Sequence, residues 1–263
     1  MRRRRIYWRR QPTPPPPSPV YAMEVHRPKH PFHGFRDFLK EVGIIVLGVL
    51  VALAAEQAVE KVHERTIASE ARETIRAEAR LDLGFMRDDR VADQKCLDRR
   101  LEEIGALLAR ARDGVLDPPP SWIGHPATAP MFMERWRSAL ASGRTSLLSP
   151  TEQERYGQLY GLFERYDQHE AHEQQIWADL RALENWQGPL GAPARLAFAQ
   201  SLRQARYEEW DLRYTATFAL RFGADLGIEP APSTETKNVS ICLPTDLSRA
   251  DALRQLNAPL GEP

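Results

Sequence analysis

The pattern of apolar and polar positions changes character once along this chain. From Val42 to Ala55, VGIIVLGVLVALAA, fourteen residues pass without a charge or a hydrogen-bonding side chain, between Lys40-Glu41 and Glu56-Gln57. Elsewhere apolar residues recur at intervals of three and four, the signature of amphipathic helices. Between residues 56 and 113 they fall at Val59, Val62, Thr66/Ile67, Ala71, Ile75, Leu81, Phe85, Ala92, Cys96/Leu97, Leu101, Ile104, Leu108 and Ala111. This predicts one long helix or two collinear ones, with a weak point at Gly84 and the RDDR that follows Met86. Gly114 and Pro118-Pro119-Pro120 end it.

A short helix is predicted from near Pro130, with Phe132, Trp136 and Leu140 on one face and a stop at Ser142-Gly143. Ser149-Pro150-Thr151-Glu152 is a capping box: Ser at the N-cap, Pro at the first helical position and Glu three residues on satisfy otherwise orphaned amide donors. The helix it starts runs to about Trp186 through Tyr156, Leu159/Tyr160, Phe163, Tyr166, Ile176/Trp177, Leu180 and Leu183, and Gly188-Pro189 closes it. A last long helix follows Pro193 and ends near Gly227. Its aromatic ladder, Tyr207, Trp210, Tyr214, Phe218 and Phe222, has the spacing of a core stripe and reads as core rather than as a pocket lining. Residues 229–236 read as a linker and NVSICLP as extended, with a short helix within 246–256.

No strand alternation is present. The expected fold is therefore all-α: an N-terminal transmembrane anchor continuing into a long helix, packed with two or three further helices as an antiparallel bundle. The domain organisation that follows is a disordered Arg/Pro-rich segment (1–30), an anchor with its interfacial lead-in (31–59), a helical bundle (60–227), and a linker and tail with a short helix (228–263).

Three readings compete for the apolar run. Fourteen helical residues cover about 21 Å, short of the roughly 30 Å hydrocarbon core. The deficit shrinks if the helix runs from Phe38 to Val59, with Lys40 extending outward and Glu56 at the opposite interface. A cleaved signal peptide would use Ala52-Leu53-Ala54 as its small-residue site. A buried core helix of a soluble protein is the third. The missing polar face disfavours the core helix, and the long lead-in with no helix breaker favours a single-pass signal anchor, carried by Phe38, Lys40, Val42, Gly48, Ala52 and Ala55. Gly48 and Ala52 form a small-xxx-small pair through which two anchors could form a homodimer in the lipid bilayer.

Charge supports the anchor and orients it. The chain has 36 basic and 36 acidic residues, but residues 1–41 hold ten Lys and Arg against Glu24, Asp37 and Glu41, a balance of +7 that leaves −7 for the remainder. By the positive-inside rule the N-terminus is cytoplasmic and the body periplasmic, at the inner (cytoplasmic) membrane. The opening MRRRRIYWRR matches a nucleic-acid or anionic-lipid patch in composition. It is alternatively upstream of the true start, since Met23 opens a compact basic lead-in, and no nucleic-acid partner is expected.

Candidate chemistry is sparse. Cys96 and Cys242 lack CxxC spacing or clustered histidines, which argues against a zinc or thioredoxin-like site; in an exported body they are either a single disulfide or two unpaired buried thiols. His169-Glu170-Ala171-His172-Glu173 brings two His and two Glu together, but the histidines stand at i, i+3 rather than the i, i+4 of zinc proteases. The patch is a polar break on an inward face, with His169, His172 and Glu173 as weak candidates for ligand contact and a hydrogen-bonded or solvated patch as the plainer reading. No nucleophile elbow or glycine-rich phosphate loop is present, and no cofactor, metal or enzymatic activity is expected.

The run FLKEVGIIVLGVLVAL (Phe38 to Leu53), with WRSALASG (Trp136 to Gly143) and YGQLY (Tyr156 to Tyr160), resembles uncharacterised bacterial single-pass membrane proteins, a domain-of-unknown-function family. The resemblance implies a membrane anchor with an extracytoplasmic helical domain and carries over no catalytic residue. Two functions are compatible with these features: interaction or envelope scaffolding, and a small-ligand-sensing bundle that signals through a membrane partner.

Overall fold

The computed structural model describes residues 34–111, 114–233 and 240–257; the Arg/Pro-rich segment 1–30 lies outside them. The fold is all-α, with no strand among the described residues. The helices are α1 (Phe35–Phe85), α2 (Gln94–Arg110), α3 (Glu134–Ala141), α4 (Pro150–Arg181), α5 (Ala192–Asp225) and α6 (Arg249–Leu256). The chain divides into two compact units, Met1–Gln57 and Ala58–Pro263, and the sequence of α1 runs through the boundary.

In the first unit every described side chain is exposed, including Ile44, Ile45, Leu47 and Leu50. No part of its most apolar window is buried, whereas a core helix is mostly buried. This is the single described helix long and apolar enough to cross a membrane. It runs unbroken through Ala52-Leu53-Ala54, and its entry carries an exposed pair between Lys40 and Asp37 at 3.7 Å.

The second unit is built on two apolar cores. One joins Ile75, Ala79, Leu83 and Met86 to Trp136 of α3, to Tyr156, Phe163 and Tyr166 in the first half of α4, and to Leu212, Ala216 and Ala219 in the second half of α5. The other joins Leu97, Leu101 and Ile104 of α2 to Ile176, Trp177 and Leu180 in the second half of α4, and to Phe198, Leu202 and Ala205 in the first half of α5. Helices α4 and α5 are antiparallel neighbours: Arg155 donates to the Asp225 carbonyl at 3.2 Å near one end, and His172 meets Glu208 at 2.7 Å further along.

Local chemistry sets the element boundaries. The Ser149 capping box forms, with its hydroxyl accepting from the Glu152 amide and Glu152 accepting from the Ser149 amide at 3.1 Å. Arg72 of α1 adds a two-pronged pair to Glu152, at 2.7 and 3.2 Å. The weak point expected at Gly84 is a π-helical turn at Met86–Val91, followed by a hydrogen-bonded turn before α2. Gly84 itself stays helical and leaves room for the chain returning after α5, which crosses it: a Cβ there would lie 2.0 Å from the Ala231 carbonyl oxygen. That returning segment is more than a linker. Arg76 donates to the carbonyls of Leu226 and Gly227, Arg80 to that of Glu229, and the Ala231 amide donates to the Arg80 carbonyl.

Four sequence expectations are corrected. Helix α3 begins at Glu134 rather than near Pro130, and Phe132 and Leu140 are exposed while Trp136 is buried. Leu81 is exposed too, because the buried stripe of α1 runs through Ala71, Ile75, Glu78, Ala79 and Asp82. Ser240–Cys242 is a 3-10 turn rather than extended chain; Asn238 and Val239 lie outside the described residues. The aromatic ladder of α5 is core only at its end: Phe222 packs against the first core, whereas Tyr207, Trp210 and Tyr214 are 55%, 50% and 47% exposed. The buried face of α5 interleaves the large Phe198, Leu202 and Leu212 with small residues, Ala205, Ala216, Ala219 and Gly223, which let it approach closely; a Cβ on Gly223 would meet Leu83 at 2.4 Å.

Candidate functional site

Between the two cores the second unit carries a belt of charge. It is assembled from Asp89 and Arg90 of the π-helical turn, Asp167, His169, Glu170, His172 and Glu173 of α4, and Glu208, Glu209 and Asp211 of α5. At its centre Arg90 donates to both oxygens of Glu173, at 2.7 and 2.9 Å, with each side chain 1% exposed. The carboxylate holds the guanidinium pKa above its usual value against the opposing effect of burial, and Tyr166 and Glu209 add to this. Burial also pushes the Tyr166 phenol far above its ordinary range.

The histidine patch divides between two sides of α4. His169 and His172 turn to α5, where each Nδ1 lies 2.7 Å from an oxygen of Glu208, and His169 Nε2 lies 3.5 Å from Asp211. Arg165 binds both oxygens of Asp211. Glu173 faces away from them and is spent on Arg90. Of the three residues grouped by sequence, the structure therefore brings His169 and His172 together but not Glu173 with them, and their partners Glu208 and Asp211 come from another helix. Among the described residues no group of three or more His, Cys, Asp or Glu side chains is placed to hold a metal ion.

A second group of acids, unforeseen from sequence, organises the loop into α3. Phe132 donates its amide to Asp82 at 3.0 Å; Arg135 and Trp136 donate theirs to Glu78 at 2.8 and 3.2 Å. Ala129 and Met131 donate to Glu170 and Asp167, both at 3.4 Å. Carboxylates at the start of a helix satisfy its orphan amide donors and complement its dipole. Desolvation exceeds that stabilisation at two of them: burial raises both Asp82 and Glu170 to about 8, with nearby carboxylates adding to the effect. The available signal was their position, since Glu78 and Asp82 fall on the buried stripe of α1.

Compared with models of protein families, with curated proteins and with solved structures, the chain matches none. Its function is accordingly read from its own surfaces. Two features besides the belt bear on that. Cys96 of α2 and Cys242 are joined by a disulfide with Cα atoms 5.0 Å apart, tying the segment 240–257 to the second core. Trp122 Nε1 reinforces this by donating to the Ser240 carbonyl at 3.0 Å. The other feature is the outward face of α5. Tyr207, Trp210, Tyr214 and Phe218 stack on one another along it, with successive centroids 6.1, 5.6 and 4.5 Å apart.

Proposed function

We propose that this is a single-pass, membrane-anchored helical protein of the inner membrane, with its N-terminus cytoplasmic and its body periplasmic, which works by holding a protein partner on the outward face of α5. The anchor reading is supported by the exposed apolar helix and by the opposite charge balances on its two sides.

The observation that carries the interaction reading is the unburied aromatic face. Positions 196, 200, 203, 207, 210, 214, 217 and 221 follow alternating steps of four and three, the spacing of a helix–helix seam, and three of them are half-exposed Tyr or Trp. Aromatics of this kind dominate interface energetics. Their surroundings select the partner. Arg203, Arg206 and Arg221 are exposed on α5, whereas Glu208, Glu209 and Asp211 are buried, Glu208 and Asp211 paired to α4 and Glu209 to Arg213 of α5. The face is thus aromatic and cationic, and complements a partner helix with an apolar seam flanked by acidic residues.

The test is a photo-crosslinking side chain at Tyr214 of the full chain in its native membrane, with Glu154 on α4 as the control position. A discrete adduct from position 214 alone, lost in Arg203→Glu/Arg221→Glu, is expected. Equal adducts from both positions, or an adduct indifferent to the charge reversals, would contradict the reading.

A sensory role is the second reading, and a specific crevice favours it.

A further inference from the structure

Beneath the loop from His125 to Pro130, α4 carries two adjoining crevices. The first, of about 230 Å³, is walled by His125, Pro126, Glu173, Trp177 and Arg181. The second, of about 210 Å³, is walled by Ala129, Pro130, Asp167 and Glu170. Thr128 and Gln174 belong to both, so the two lie side by side along α4. Either lobe alone falls below the roughly 300 Å³ at which ligand pockets begin, so an occupant of ordinary ligand size draws on both.

The two lobes differ in chemistry. In the second, Asp167 and Glu170 form no ion pair among the described residues, and their protein donors are two backbone amides at 3.4 Å, at the long end for N–H···O. Burial of Glu170 without a dedicated counter-ion is what lifts its carboxyl. This lobe lacks a cation. The first lobe lacks an acceptor: the indole Nε1–H of Trp177 has no hydrogen-bond partner among the described residues, although Trp177 is 1% exposed. A buried donor left unpaired costs about 1–3 kcal/mol, a cost that a ligand acceptor relieves. Beside it Arg181 is only loosely held by Glu184, at 3.5 Å. Glu173 adds no free charge because Arg90 occupies both of its oxygens.

The spacing defines the occupant. Glu170 and Trp177 are seven helical residues apart, about 10 Å along α4. A hydrogen bond of about 3 Å at each end leaves about 4–4.5 Å between the ligand's own charged groups. An α-amino acid is too short for that span, and a dipeptide matches it.

We infer that these adjoining crevices together bind a short zwitterion of dipeptide length, its ammonium between Asp167 and Glu170 and its carboxylate at Trp177 Nε1 and Arg181. The site is separate from the aromatic face of α5, so either can fail without the other.

The experiment is calorimetric titration of the full chain in detergent with dialanine, N-acetyl-dialanine, dialanine amide and alanine. Saturable binding of dialanine alone is expected. Trp177→Phe keeps the ring and removes the N–H, and should weaken binding about 5- to 10-fold. Asp167→Asn/Glu170→Gln should weaken it by at least about 10-fold. Both variants are first checked for an unchanged circular dichroism spectrum. Absence of saturable dialanine binding up to about 10 mM, the weak limit of specific recognition, overturns the inference. So does binding that survives acetylation and amidation, or that is unchanged in folded Trp177→Phe and Asp167→Asn/Glu170→Gln.

Discussion

Removing Glu173 alone should cost more than removing it together with Arg90. In Glu173→Leu the guanidinium of Arg90, 1% exposed, loses both acceptors and remains buried with its charge. Breaking a buried pair from one side costs about 3–5 kcal/mol. Glu209, which already acts on Arg90, softens the loss toward the lower figure. In Arg90→Met/Glu173→Leu neither member of the pair is stranded, Glu209 keeps Arg213 at 3.4 Å while it and Glu170 lose the more distant Arg90, and apolar side chains of similar volume continue the cores above and below the belt. The double variant should stand within about 1–2 kcal/mol of the native protein. The assay is urea unfolding of the full chain in detergent, followed by circular dichroism; urea leaves electrostatics unscreened where guanidinium does not. With slopes of about 1–3 kcal/mol per molar, a 3 kcal/mol loss moves the midpoint by about 1–3 M. The reasoning is refuted if the double variant is destabilised by the sum of the two single losses, since additivity would mean the side chains do not compensate one another.

Further expectations follow from the same interactions. Asp82 and Glu170 have folded-state pKa values raised to about 8, so the native state binds more protons than the unfolded chain; their contribution is fully present below about pH 4 and is lost as pH rises toward 8. Stability should decline across that window by up to about 1.4 kcal/mol per pH unit per group, and Asp82→Asn or Glu170→Gln should flatten the urea midpoint against pH; an unchanged profile refutes the assignment. The disulfide between Cys96 and Cys242 spans 146 residues of sequence, and Cys96→Ser/Cys242→Ser should cost about 2–5 kcal/mol, with residues 240–257 losing hydrogen-exchange protection first; uniform protection would contradict this. Gly84→Ala places a methyl 2.0 Å from the Ala231 oxygen and should cost about 1–3 kcal/mol, with faster exchange at the Ala231 amide as its local sign; native exchange there would show that the segment does not press on α1.

Much of the fold was legible because its signals are local. The Ser149-Pro150-Thr151-Glu152 cap names its own geometry, and the uninterrupted apolar run of α1 needs no partner to be recognised. The aromatic ladder was misread for a physical reason. Tyr207, Trp210 and Tyr214 have the same spacing as a core stripe, and periodicity locates an apolar face without saying which of two such faces is turned inward. Close approach settled it: on its buried face α5 spaces Phe198, Leu202 and Leu212 with Ala205, Ala216 and Ala219, the last three too small to stand out in a hydropathy pattern. The belt was partly visible as the polar break at His169 to Glu173. Its pairing was not, because Arg90, Glu208 and Asp211 come from other helices, and Glu78 and Asp82 look like surface acids until the phase of α1 is known.

The central claim is that the exposed apolar helix crosses the membrane and leaves the body outside the cytoplasm. A reporter active only outside the cytoplasm, and a second active only within it, fused in turn after Pro263 of the full chain, test this directly. Activity from the first reporter alone, with the chain retained in the membrane fraction after alkaline extraction, is the expected result. Activity from the cytoplasmic reporter alone, or release of the chain by alkali, would contradict the account.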